Sequence, residues 1–185
     1  MAFARAIAVA YRLRGADPTE ALHEAGLDSA NLLDAQARLT SLPFERLALR
    51  AMRELDDEAL GWFGRRLPWG SYGMLARASL SAPTLGVALA RWCRHHTLLT
   101  DDMILTLSRD GAVARLTLHE RVAPGTGLPD VAERAILREF AHVSLLRNAL
   151  GLSAWWIDTR LPLQALDLAF PEPVHADVYP LLFPG

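Results

Sequence analysis

Apolar and polar positions alternate along this chain with two different periods. From Phe3 to about residue 66 the spacing is helical. A first helix is predicted over Phe3 to Leu13, stopped at Gly15. Pro18-Thr19-Glu20 opens a short second one, which Gly26 ends. Asp28 can cap a third, holding Leu32 and Leu33, because its carboxylate accepts from free backbone N–H groups. Leu42-Pro43 starts a fourth, with Phe44, Leu47, Leu49 and Met52 available for burial, and Asp56-Asp57 precede a fifth over Glu58 to Phe63. Next come a turn marked by Pro68, Gly70 and Gly73, an apolar stretch, and a second turn. A helix follows, with Pro83 placed in its first turn and Leu85, Ala88, Leu89, Trp92 and His96 at helical spacing.

The period then changes to two. Met103 to Ser108 alternates as a strand, Arg109-Asp110-Gly111 reads as a tight turn, and Ala112 to His119 is the return strand. Ala114, Leu116 and Leu118 fall on one face of it, and Val113, Arg115, Thr117 and His119 on the other. After a loop at Ala123 to Gly127, Asp130 and Glu133 have capping-box spacing for a helix that runs to about Leu150 and ends at Gly151. Trp155 to Thr159 and Ala165 to Phe170 read as strands, and Ala176 to Leu182 as a last helix. The expected fold class is α+β: a helical N-terminal half, to about residue 100, then a small antiparallel sheet with packed helices over about 101–185. The expectation is a single domain over 1–185.

Composition narrows the function. Hydrophobic residues make up 51% of 185, enough for a sizeable core. A net charge of −2 argues against direct nucleic-acid binding, which needs a basic face. The chain has no lysine, so Schiff-base chemistry and a P-loop are excluded. One cysteine, Cys93, cannot form an internal disulfide, which fits a reducing compartment. No run approaches the ~18 apolar residues of a membrane span, and the short apolar run Ala6 to Ala10 is no convincing signal peptide. A cytoplasmic protein without membrane contact is expected.

Catalytic signatures are sparse. Cys93-Arg94-His95-His96 is the one compact reactive cluster, and Cys93 and His96 share a helix face at i, i+3. It can be read as a nucleophile pair, as the start of a metal site, or as a buried thiol with marginal histidines. No second ligand pair at a metal spacing appears, so no metal and no catalytic residue is assigned. Asp56/Asp57 and Asp101/Asp102 read as caps or turns. His119 reads as solvated, and His142 as either a satisfied boundary residue or a donor to a ligand. His23 lacks the spacing of a zinc-protease helix, Gly70-Ser71-Tyr72-Gly73 lacks that of a nucleophile elbow, and no dinucleotide-binding glycine pattern follows a strand. Ala10 to Gln36 mimics a DNA-binding helix-turn-helix, but its second helix, Asp28 to Asp34, carries two Asp and no Arg, the wrong sign for phosphates.

Four segments carry a resemblance. They are Leu67 to His96 (LPWGSYGMLARASLSAPTLGVALARWCRHH), Ala25-Gly26-Leu27-Asp28 with Leu32-Leu33, Gly61-Trp62-Phe63-Gly64, and Phe170-Pro171-Glu172-Pro173-Val174-His175-Ala176 followed by Tyr179 and Phe183. In this order they resemble the N-terminal effector-binding domain of AraC-type transcription regulators, in the branch labelled arabinose-binding. The resemblance implies a non-enzymatic sensor without cofactor that binds a small organic effector. It also implies a homodimer, with DNA reached only through a C-terminal domain that this chain does not contain. Within that reading, Trp69, Tyr72, Met74, Arg77, Trp92, His96 and His142 are the expected walls of an effector pocket between the helical half and the sheet. Arg77 suits a carboxylate, or else lies on the outer surface. A small Cys/His or metal-dependent enzyme and a ligand-free dimerisation module are the alternatives.

Overall fold

In the computed structural model, which describes residues 1–34 and 37–185, the expected α+β class is found. The helices are α1 (Ala2–Leu13), α2 (Thr19–Glu24), α3 (Ser29–Leu33), α4 (Ser41–Glu54), α5 (Ser71–Ser79), α6 (Leu85–Leu99), α7 (Val131–Trp156) and α8 (Tyr179–Leu182). Strands β1 (Met103–Asp110) and β2 (Val113–Glu120) pair antiparallel from Met103 opposite Glu120 to Asp110 opposite Val113. Gly111 and Ala112 therefore form a two-residue hairpin loop, one step beyond the turn read from the sequence. Gly111 supplies the positive φ (57°) that such loops need. The end of the segment weighed as a helix-turn-helix, Ala35-Gln36, lies outside the described residues.

The chain divides into two compact units that are interleaved in sequence. The first comprises Met1–Trp69, Pro124–Ala141 and Glu172–Ala176; the second comprises Gly70–Ala123, His142–Pro171 and Asp177–Gly185.

In the first unit α1 is buried almost all round, through Ala4, Ala6, Ile7, Ala8, Val9, Ala10 and Tyr11. A helix apolar on every side belongs in the middle of a core. α4 packs on α1 through Leu47, Ala48 and Ala51, and α2 packs on α4. Phe140 meets Phe3 at 5.1 Å and Trp62 edge-on at 5.5 Å. Asp28 caps α3 in a full capping box with Asn31. Of the apolar positions expected to bury on α4, Leu49 does not; it is 40% exposed.

The expected fifth helix does not form. Residues 56–66 are a series of tight turns wound around Asp57, which is fully buried. Its carboxylate accepts from the backbone N–H of Ala59, Gly61 and Leu67 and from Arg14 Nε at 2.8 Å. Gly61 is obligatory here: its φ is 80°, and a Cβ would meet Leu13 Cδ2 at 3.1 Å.

In the second unit α6 packs on α5 and on β1. The apolar stretch expected after Gly70 is helix α5. Pro83 lies just ahead of the Thr84 cap rather than in the first turn of α6; Thr84 Oγ1 accepts from Val87 N–H at 3.3 Å.

Three expectations about the C-terminal third are overturned. α7 does not stop at Gly151 but continues to Trp156, so Trp155-Trp156 is helical and not a strand. Residues 165–170 form no strand; Pro171 and Pro173 follow, and the segment is irregular. The capping box of α7 is half formed: Asp130 Oδ1 accepts from Ala132 N–H at 2.7 Å, while Glu133 is ion-paired with Arg12. The last helix is a 3-10 turn, Ala176–Val178, leading into α8.

Candidate functional site

The second unit concentrates polar chemistry in an apolar setting. Helical spacing places Trp92 and His96 one turn apart on the buried face of α6, 1% and 0% exposed. Tyr72, in the first turn of α5, stacks on Trp92 with ring centroids 5.7 Å apart and an interplanar angle of 19°. Its hydroxyl is hydrogen-bonded to His96 Nε2 at 3.2 Å. Trp156, near the end of α7, meets Trp92 edge-on at 6.1 Å. Three of the seven expected wall residues, Tyr72, Trp92 and His96, are thus brought together, and Trp156 joins them.

The electrostatics of this cluster follow from burial. Desolvation pushes the His96 imidazole down to about 4, opposed in part by a hydrogen bond to the Met103 backbone. His96 is therefore neutral at physiological pH, a polar group that can donate or accept without carrying charge. Among the described residues, Trp92 Nε1, Trp156 Nε1 and Ser79 Oγ are buried without a hydrogen-bond partner. Such groups cost roughly 1–3 kcal/mol each while unsatisfied.

The other four wall residues are placed differently. His142, in the same unit, holds Glu120 Oε2 at 2.7 Å through Nε2 and lies edge-on to Phe170. Met74 and Arg77 are exposed on α5. Trp69 belongs to the first unit, half-exposed, with the Arg53 guanidinium 5.3 Å above its ring. Trp156 was missed because the two adjacent tryptophans read as a strand. A helical reading of 131–156 would have put Trp156 within reach.

In the reactive-looking cluster the thiol is held protonated. Cys93 is buried, and desolvation pushes its thiol up to about 11, so it carries almost no thiolate at neutral pH. Among the described residues no group of three or more His, Cys, Asp and Glu is placed to hold a metal ion. His119, on the exposed hairpin, bonds Thr106 Oγ1 at 2.9 Å, and His175 bonds Glu139 Oε1 at 2.6 Å. No described helix is long and apolar enough to cross a membrane.

No curated protein matches the sequence. A family model does: the arabinose-binding domain of AraC transcription regulators, N-terminal, matches residues 15–185. That span includes all the segments that carried the resemblance, the turns around Asp57 and the Tyr72–Trp92–His96 cluster. With the match covering nearly the whole chain, the protein belongs to the family of arabinose-binding-type N-terminal domains of AraC transcription regulators, which are ligand-binding regulatory domains.

Proposed function

We propose that this chain is the sensor of an AraC-type transcription regulator. It binds a small organic effector in the cytoplasm as a homodimer and controls an attached DNA-binding domain. The observation that carries this reading is the family match over residues 15–185. The effector meets Tyr72, Trp92, His96 and Trp156, with His142 of the same unit as a further polar group. Three features of the cluster support that choice. Flat aromatic faces suit a ring or an aliphatic body, the neutral His96 supplies orientation without charge, and the unpaired indole N–H groups suit an oxygen acceptor. Met74 and Arg77 complete the proposed set, Arg77 facing any carboxylate the effector carries.

Control needs no more than a differential affinity of the effector for two states of the regulator. A coupling of about 1–3 kcal/mol is ordinary for such systems.

The test is a thermal-shift screen of the purified chain against L-arabinose, amino acids, organic acids and fatty acids, confirmed by calorimetry. A true effector at 100 times its Kd stabilises the fold by about 2.7 kcal/mol, a rise of several degrees for a chain of this size. Tyr72→Phe should weaken that effector by removing the hydroxyl at His96. An empty screen on monodisperse protein would overturn the sensor reading in favour of a ligand-free dimerisation module.

A further inference from the structure

The first unit carries an open cavity of about 550 Å³ between α2 and α4, remote in composition from the aromatic cluster. Its volume lies within the range of small-molecule sites. On α4, Arg46, Leu49, Arg50 and Arg53 recur at i, i+3, i+4 and i+7 and so share one face. The opposite wall is the small pair Ala21 and Ala25, one helical turn apart, which leaves room above Leu49. Leu49, 40% exposed, is the apolar residue of α4 that lines this cavity, and it forms its floor.

The three arginines are not equivalent. Arg50 is held by carboxylates on three sides: Glu24, Glu20 at 3.1 Å and Glu54 at 3.2 Å. Glu54 is in turn fixed by the buried Tyr11 hydroxyl, which donates to it at 2.8 Å. The charge of Arg50 and those of the two lining glutamates are therefore satisfied within the wall. Arg46 makes no hydrogen bond or ion pair with any described residue. Arg53 has only the Trp69 ring beneath it. Two guanidinium groups without a carboxylate thus flank an apolar floor. Seven residues of helix separate them, about 10 Å of rise.

We propose that this cavity binds a small α,ω-dicarboxylate, one carboxylate at Arg46 and the other at Arg53, with its methylene chain over Leu49 and Ala25. The planar guanidinium fork takes a carboxylate bidentately, which fixes orientation as well as charge. The apolar floor selects a ligand with a hydrocarbon body over a bare inorganic anion. An extended eight-carbon dicarboxylate has a length comparable to the separation of the two arginines. This inference stands apart from the sensor reading, since binding is read on this chain alone and at different residues.

The experiment is isothermal calorimetry of the purified chain with suberate, using hexanoate and sulfate as comparators at constant ionic strength. Suberate is expected to bind, and hexanoate and sulfate at least tenfold more weakly. Arg46→Ala and Arg53→Ala should each weaken suberate at least tenfold, and Leu49→Glu should abolish its binding by placing a carboxylate on the floor. All three side chains are exposed, so the variants should melt with wild-type stability. Tyr72→Phe should leave suberate binding unchanged, which separates this site from the proposed effector site. No binding of suberate, wild-type affinity in either arginine variant, or sulfate binding as tightly as suberate would each overturn the proposal.

Discussion

At the scale of single residues, two buried polar groups matter most. Asp57 satisfies three backbone N–H groups and Arg14 from a fully buried position. Asp57→Ala leaves Arg14, only 10% exposed, without its partner and strands those N–H groups. Breaking a buried pair from one side costs about 3–5 kcal/mol, so urea denaturation should find a large share of the stability gone. Sequence reading placed Asp56 and Asp57 correctly as groups that bind backbone N–H. It missed that Asp57 gathers turns instead of capping a helix, because its partners at Leu67 and Arg14 lie far off in sequence. His96 gives a pH prediction. Its folded value of about 4 lies below the ordinary 6.5. The unfolded chain therefore takes up a proton between pH 6.5 and 4 that the folded chain refuses. Its contribution to stability is complete above about pH 6.5 and is lost as pH falls towards 4, with a slope of up to about 1.4 kcal/mol per pH unit. Urea midpoints at pH 7.5 and 5.0 should differ less in His96→Gln than in the wild type. Equal differences would show that His96 does not titrate in this window.

At the scale of elements, the helices α1 to α4, α6 and the hairpin were legible because each carries its own local signal. Asp28 is followed by a matching Asn31, Thr84 precedes an apolar helical run, and an alternating pair of strands flanks Asp110-Gly111. Asp28→Ala should cost about 1 kcal/mol, seen as faster amide exchange over α3. The C-terminal half of α7 was illegible for a specific reason. Gly151 looks like a stop signal, yet it adopts ordinary helical backbone, and tertiary packing of Leu145, Ala149 and Ser153 carries the helix through it. This mistake also hid Trp156 and with it the fourth member of the aromatic cluster. The helix pays for Gly151 in backbone entropy, so Gly151→Ala should stabilise the protein by about 0.5–1 kcal/mol. The new Cβ would meet only Arg147 Nη1 at 2.9 Å, the far end of an exposed and flexible side chain that can swing aside. Loss of stability in this variant would mean that the Arg147 position is fixed.

At the scale of the whole molecule, the order of residues in the chain does not match the order of residues in the cores. The first core takes Leu137, Phe140 and Ala141 from a segment that begins more than fifty residues after Trp69, and the second takes Val143, Leu145 and Ala149 from the continuation of the same helix. Local patterns cannot announce such long-range membership. That is why the sequence yielded α1 to α4, α6, the hairpin and three residues that cluster, but not which elements share a core. The cavity at Arg46 and Arg53 was hidden similarly, since it needs α2 beside α4. A prediction about truncation follows from this interleaving. A chain ending at Ala123 keeps all of α1 to α6 and the hairpin but loses the α7 residues that fill both cores. Phe3 and Trp62 lose the Phe140 ring, and Trp92 loses Trp156. Removing several fully buried apolar side chains at about 1.5–3 kcal/mol each exceeds the stability of an ordinary domain. The 1–123 fragment should therefore lack near-ultraviolet circular dichroism and a cooperative urea transition, and adding a 124–185 fragment should restore both. A cooperative transition in 1–123 alone would show that α7 completes neither core.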